Sequence, residues 1–243
     1  MSFHTFTQLT LSEQLQRFWE IEEVSTSRTP TTEEVHCENY FQQTHSRDAR
    51  GRFLLRLPFL REPQLPGSYE IARSQFLRSE QRFRKDRDLS QAYSKFIKEY
   101  LDLGHMEIVP HAELSCPDVY YISHHAILKH DKKIRVVFNA SQKATSGKSL
   151  NDFLHVGPKL QTDLLTIITR WRFFKYVFTA DIVKMFRQFH VSEPDINWLR
   201  ILWRFNPEQQ IQVYRLLTVT YGTASAPYQA IRCLRQLAQN GQE

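Results

Sequence analysis

Apolar residues recur every three or four positions in some stretches of the chain and every second position in others. The two rhythms predict helices and strands respectively. A first helix is expected over 11–23, where Leu11, Leu15, Phe18 and Trp19 share a face and Thr10 with Glu13 forms a capping box. Thr29-Pro30 breaks it. A second helix starts near Thr31, where Thr31 and Glu34 repeat the box, and runs toward Phe41. Phe53, Leu55, Leu57 and Phe59 alternate in a strand over 52–59, with Pro58 marking an edge. Two helices come after a loop at 63–67. The first, over 70–85, turns Ala72, Phe76, Leu77 and Phe83 inward and Arg73, Arg78, Arg82 and Arg84 outward. The second begins behind Asp88, buries Tyr93, Phe96, Ile97, Tyr100 and Leu101, and stops at Gly104.

From Met106 onward the rhythm is that of strands. Residues 119–122 and 125–128 lead through the polar turn His130-Asp131-Lys132 to a run at 134–138, a β-hairpin pattern. Residues 142–148 read as a loop. Thr162 caps an amphipathic helix carrying Leu164, Leu165, Ile168 and Trp171. The run from Tyr176 to Thr179 reads as a buried strand, with strands again at 199–203 and 211–217 and a last helix over 226–238. Strands mixed with helices, without regular βαβ alternation, indicate an α+β fold.

Composition narrows the class. A chain of 243 residues can bury a sizeable core, as one large domain or two small ones. No stretch approaches the roughly 18 apolar residues of a membrane span, and the first residues lack the basic and apolar parts of a secretory signal. Three widely spaced cysteines (Cys37, Cys116, Cys233) suit reduced thiols in an intracellular, cytoplasmic setting. A net charge of +6 is compatible with a polyanionic partner. The arginine face of 73–87 could track phosphates, but Glu80 and Asp86 are interleaved, and an ordinary solvated face is an equal reading. Ser146-Gly147-Lys148-Ser149 lacks the first glycine and the preceding strand of a phosphate loop. His124-His125 has no third ligand at metal spacing, and no nucleophile motif is present.

The strongest chemical feature is Lys175-Tyr-Val-Phe-Thr-Ala-Asp181-Ile-Val-Lys-Met-Phe186. A lone carboxylate closing a hydrophobic strand is costly unless it is neutralised. It either caps the next turn or holds a divalent cation. Downstream, Val219-Thr-Tyr221-Gly222-Thr-Ala-Ser225-Ala-Pro227 is a small-residue turn that opens a helix. With Arg135-Val-Val-Phe-Asn139-Ala-Ser and Ser149-Leu-Asn-Asp-Phe, the chain resembles the reverse transcriptases of long-terminal-repeat retrotransposons, most of all the BEL/Pao group. The likeness runs from Phe18-Trp19-Glu-Ile-Glu22 through Thr44-His-Ser-Arg47-Asp48 and Arg56-Leu-Pro-Phe59 to Arg232-Cys-Leu-Arg235.

The resemblance implies an RNA-directed DNA polymerase within a pol polyprotein, working on an RNA or DNA template-primer and deoxynucleoside triphosphates. It implies Mg²⁺ or Mn²⁺ as cofactor, in a pair of ions about 3.5–4 Å apart, and a location in the cytoplasm, a virus-like particle or the nucleus. Asp181 matches the first catalytic aspartate and metal ligand, and the backbone of Ile182 and Val183 lies near the triphosphate. Phe186 falls at the sugar gate, where a ring excludes a 2′-hydroxyl; simple core packing is the other reading. Lys129 and Arg135 would fold over the triphosphate, Arg135 as the planar bidentate partner, although Lys132 and Lys133 compete with Lys129. Tyr221 would face the nucleotide. Gly222, Ser225 and Pro227 belong to the template-positioning turn, Gly222 giving close backbone approach to a base pair. Asn139 stands where many relatives have Asp.

The implied architecture is a right-hand polymerase: a helical lead-in over 1–60, then a partial reverse transcriptase domain over 61–243, with fingers at about 61–160 and part of the palm at about 161–243. The second catalytic motif of these enzymes, aromatic-x-Asp-Asp, comes after the template-positioning helix. This sequence contains no Asp-Asp and stops at Glu243, inside or just past that helix. Asp195 comes after Pro194 in a turn and is a poor substitute. The expectation is therefore a fragment truncated within the palm and inactive by itself. The alternative is a relic that binds nucleic acid or a protein partner.

Overall fold

The structure, a computed structural model, describes Thr10, Ser12, residues 29–128 and residues 134–241. The helix expected over 11–23 and the hairpin tip with Lys129 lie outside the described residues. Helix α1 (Thr32–Thr44) starts at the anticipated capping box: the Glu34 amide donates to Thr31 Oγ1 (3.2 Å) and the Thr31 amide to Glu34 Oε2 (2.8 Å). The chain then forms β1 (Ser46–Arg47) and β2 (Phe53–Leu55), which pair antiparallel, and β2 pairs parallel with β6 (His190–Val191). The strand expected over 52–59 is shorter. Leu57 keeps the period-two burial, but its amide donates to Asp195 Oδ2 (2.7 Å) instead of to a strand.

Helices α2 (Ser68–Lys85) and α3 (Arg87–Asp102) come next. The cap of α3 is Asp86, not Asp88: its carboxylate accepts from the Leu89 amide at 2.9 Å. Strands β3 (Met106–Ile108), β7 (Arg200–Trp203) and β8 (Gln212–Leu216) make an antiparallel sheet ordered β3-β8-β7. Strands β4 (Ser123–Leu128) and β5 (Ile134–Asn139) form the hairpin, with Ile127 opposite Arg135. Residues 119–122 make only an isolated bridge, Tyr121 to Arg200. The last helix, α5, covers Ala226–Asn240.

One core joins these pieces. Tyr93, Ile97 and Tyr100 of α3, Phe138 of β5, Ile201 and Trp203 of β7, Leu216 of β8, and Ala230 and Cys233 of α5 are all buried in it. Phe53, Leu55 and Leu57 share that core, so the segment upstream of residue 60 packs with the helices and strands downstream of it. At the centre of the core His124 accepts from the Tyr93 hydroxyl at Nδ1 (2.6 Å) and donates from Nε2 to Leu202 O (2.9 Å). Both ring nitrogens serve the core, and burial pushes the imidazole down to about 4.

Long-range ion pairs complete the frame. Asp195, buried, receives Arg56 Nε (2.8 Å), Arg56 Nη2 (3.1 Å) and the Leu57 amide. Glu80, also buried, is held by Arg204 in a two-bond fork (2.7 and 2.6 Å). Glu80 therefore contributes no negative charge to the outer face of α2, where Arg73, Arg78, Arg82 and Arg84 are exposed. Arg232 forks onto Glu38 and lies 4.6 Å from the Phe41 ring centroid, fastening α5 to α1.

The strand expected at 176–179 is absent. Residues 172–184 contain no strand, and Tyr176 and Phe178 are 72% and 91% exposed. A strand needs a partner edge as well as an apolar sequence, and the described residues bring none beside this run. Helix α4 (Leu164–Trp171), capped by Asp163 instead of Thr162, buries none of its residues.

Candidate nucleotide and nucleic-acid site

Strand β5 carries the first part of the site. Arg135 is exposed on its outer face, with its guanidinium 6.0 Å from the centroid of the Tyr221 ring. Tyr221 lies across the strand. Its hydroxyl donates to Val136 O (2.8 Å), and its ring packs 5.3 Å from that of Phe138. Burial raises the Tyr221 phenol above the usual tyrosine range, so it stays a neutral donor near neutral pH.

The turn after Tyr221 is built against β5. Gly222 has φ +104°, and a Cβ there would stand 2.1 Å from Phe138 O. The Phe138 carbonyl is thus one close approach that requires glycine here. Asn151, in the short 3₁₀ turn Leu150–Phe153, clamps the arrangement. Its Nδ2 donates to Ser141 Oγ (2.8 Å) and Gly222 O (3.0 Å), and its Oδ1 accepts from the Ala224 amide (2.8 Å). Asn139 Oδ1 accepts from the Ser141 amide (3.2 Å), a role that needs no charge. Ser225 is fully buried and donates to Gln229 Oε1 (3.1 Å), so its hydroxyl serves helix α5. Pro227, exposed, sits in the first turn of α5.

The third element is the 3₁₀ turn Met185–Gln188. Phe186 is half-buried and packs on the main core, which fits the packing reading and leaves part of its ring accessible. Lys184, with φ +53°, is the one non-glycine residue with positive φ among the described residues. Both Lys184 Nζ (2.8 Å) and Arg187 Nη1 (2.7 Å) reach Glu99 Oε1 on α3. The hydrogen bond from Lys184, opposed by partial desolvation, holds the Glu99 carboxyl below its usual range. Arg187 also lies 4.1 Å over the Tyr100 ring, and the Tyr100 phenol interacts with both Tyr221 and Arg187. Tyr100 is therefore the meeting point of the hairpin, the 221–225 turn and the 185–188 turn.

The acid of this region stands apart. Asp181, Ile182 and Val183 are exposed, and among the described residues Asp181 makes no hydrogen bond or ion pair. No group of three or more His, Cys, Asp or Glu side chains gathers at metal-binding distance among the described residues. Asp181 can donate one carboxylate to a cation, but a two-metal centre needs several. The described residues do not by themselves form the centre that the resemblance implies.

Sequence reasoning missed Asn151, Tyr100 and the Lys184–Glu99–Arg187 cluster as positioning groups. Asn151 stood inside a recognised motif without a role, and Lys184 and Arg187 flank Phe186 closely enough to have signalled theirs. No protein-family model matches the chain, and no curated protein is significantly similar to it. No helix among the described residues is long and apolar enough to cross a membrane.

Proposed function

We propose that this chain is the nucleotide- and template-binding part of an RNA-directed DNA polymerase, a piece of a retrotransposon reverse transcriptase of the BEL/Pao kind. One observation carries the reading. The stretches that carry the resemblance are far apart in the sequence, yet the Ser149–Phe153 turn is bonded to the Tyr221–Ser225 turn through Asn151, Tyr221 is bonded to the Arg135 strand, and the Phe186 turn reaches the same region through Arg187 on Tyr100, which packs on Phe138. Packing alone does not require an exposed arginine beside a half-exposed tyrosine at that junction. In this reading Arg135 takes a triphosphate by charge-assisted, bidentate bonds. Tyr221 floors the nucleotide, and the ring of Phe186 stands against the sugar. Asp181 offers one carboxylate to Mg²⁺ or Mn²⁺, the ion that would neutralise charge at the phosphates, with its other donors outside the described residues. The right-hand division into fingers and partial palm belongs to the same proposal, as do an RNA or DNA template-primer and the remaining pol polyprotein as partners.

The isolation of Asp181 favours a second reading for the chain as given: it binds nucleotide and nucleic acid without extending a primer. The exposed arginines of α2, with Glu80 removed from their face, suit phosphate contacts. The two readings separate in one set of measurements. Fluorescence anisotropy with a labelled RNA–DNA template-primer, with and without deoxynucleotide, should show Arg135→Ala weakening nucleotide-dependent binding roughly tenfold. Nucleotide binding unaffected by both Arg135→Ala and Tyr221→Ala would remove the site altogether. Primer extension with Mg²⁺ that is lost in Asp181→Asn would make the chain a polymerase. Binding without extension would make it the binding module.

A further inference from the structure

Phe186 sits in a turn that its own backbone does not hold in place. The Arg187 amide donates to Lys184 O (2.8 Å) and the Phe189 amide to Phe186 O (3.4 Å), both local bonds. Among the described residues no backbone bond joins 184–188 to another element. The Gln188 side chain likewise returns to Val183 O (3.0 Å). Downstream the chain enters β6, but upstream residues 172–183 form neither strand nor helix. Lys184 enters the turn at φ +53°, a left-handed conformation that a non-glycine residue keeps only when its surroundings over-determine it. Met185 and Phe186 pack on the core, but both are only half-buried. Apolar contact is non-directional and does not by itself fix where the ring stands.

A single carboxylate oxygen supplies the missing direction. Glu99 Oε1 receives Lys184 Nζ at 2.8 Å and Arg187 Nη1 at 2.7 Å. The residues two before and one after Phe186 are thus drawn to one point. That point belongs to a rigid element, since α3 is set in the core by Ile97 and Tyr100. The Arg187 side chain is 11% exposed, with its guanidinium 4.1 Å over Tyr100 and 5.5 Å over Phe96. Among the described residues Glu99 is the only carboxylate that pairs with it. The Tyr100 phenol in turn interacts with Tyr221, so the same linkage runs from the Phe186 turn to the Tyr221 ring.

We propose that Glu99 is the residue that positions Phe186, and with it the discrimination between deoxyribo- and ribonucleotides at the site with Arg135 and Tyr221. The inference rests on the nucleotide-binding reading above, in which the Phe186 ring stands against the sugar. Glu99 touches no substrate in this scheme; it acts through Lys184 and Arg187. A ring refuses a 2′-hydroxyl only when it cannot yield, and the two ion pairs resist that yielding. Without the Glu99 carboxylate, Lys184 and Arg187 are two neighbouring cations that repel, and the turn between them relaxes.

Anisotropy of a labelled RNA–DNA template-primer tests this. Titration with a deoxynucleoside triphosphate and with the ribonucleotide of the same base gives the ratio of two apparent affinities. The wild-type chain should favour the deoxynucleotide, and Phe186→Ala should abolish the preference. Glu99→Ala should lower the ratio roughly fivefold, the scale of a partly exposed ion pair. Glu99→Gln, which keeps an acceptor oxygen but not the charge, should lower it by less. Hydrogen exchange at the Arg187 amide, read without nucleotide, should quicken in Glu99→Ala while circular dichroism stays that of wild type. A role in stability alone would weaken both nucleotides equally and leave the ratio unmoved, and that result would overturn the proposal. So would a wild-type chain without preference, or an Arg187 amide that exchanges at the wild-type rate in Glu99→Ala. Absence of any nucleotide binding that depends on Arg135 would fell the reading and the proposal together. Retained Arg135-dependent binding with an unmoved ratio fells the proposal alone.

Discussion

Gly222→Ala tests how the Tyr221 turn is held. The backbone at Gly222 has φ +104°, a region that costs an L-residue about 1–3 kcal/mol. The added Cβ would lie 2.1 Å from Phe138 O. That oxygen cannot retreat cheaply, because Phe138 is paired with His124 in the hairpin and its ring is buried in the main core. The turn must move instead, by about an ångström to restore contact distance. Such a shift breaks the Asn151 bonds to Gly222 O and from the Ala224 amide, worth about 1 kcal/mol each. Together these give about 3–5 kcal/mol of destabilisation in urea unfolding. They also give faster hydrogen exchange at the Ala224 amide and loss of nucleotide binding that depends on Arg135. Asn151→Ala is the control: it removes the same bonds without the clash and should cost about 1–2 kcal/mol. A Gly222→Ala chain within about 1 kcal/mol of wild type, with the Ala224 amide still protected, would refute this account of the turn.

The core and its ion pairs make further outcomes measurable. The unfolded chain protonates His124 near pH 6.5 but the folded chain only near 4, so between these values the unfolded state binds more protons. Urea stability should fall by about 3 kcal/mol as pH drops from 6.5 to 4, with buried His105, also lowered to about 4 by burial and then by Arg187 and Lys184, acting in the same direction; His124→Phe should flatten much of that slope. Asp195→Ala leaves Arg56 and the Leu57 amide without their acceptor and should cost about 3 kcal/mol in the same assay. Glu99→Ala should change global stability by less than about 1 kcal/mol, since Glu99 is 42% exposed and the pairs are screened, yet it should speed native-state tryptic cleavage after Lys184 and Arg187. Thiol titration of the native protein at mildly alkaline pH should label half-exposed Cys116 quickly, while Cys37 and Cys233, buried with thiols pushed up to about 11 and about 12, should wait for unfolding.

Local signals were readable where the structure is local. The Thr31–Glu34 box, the faces of α2 and α3, and the rhythm of β7 and β8 each depend on neighbours within a few residues, and each element forms close to its expected place. The cap of α3 shifted from Asp88 to Asp86 because two acids stand at the helix start and only backbone geometry chooses between them. Glu80 read as one more surface acid, because its partner Arg204 is 124 residues away. Asn151 and Gly222 likewise take their roles from distant chain. The 176–179 run had the composition of a strand, but composition cannot supply the edge that a strand pairs with.

The same distinction divides the candidate site. The side proposed to take a nucleotide is held by contacts from several directions: Asn151 on the turn, Val136 under the Tyr221 hydroxyl, Phe138 against Gly222, and Tyr100 against Arg187. These groups are fixed before any ligand arrives, so little ordering remains to oppose binding. The acid side is tied down only downstream of Asp181, at Glu99, through pairs that are partly exposed, and residues 175–182 have no backbone bonds among the described residues. The position of Asp181 is therefore not fixed by contacts among the described residues. In the proposed reading, binding at Arg135 and Tyr221 does not require Asp181 to be in place. Loss of binding in Arg135→Ala and any loss of primer extension in Asp181→Asn should accordingly be separable effects, because they report on two parts of the site that the fold organises by different means.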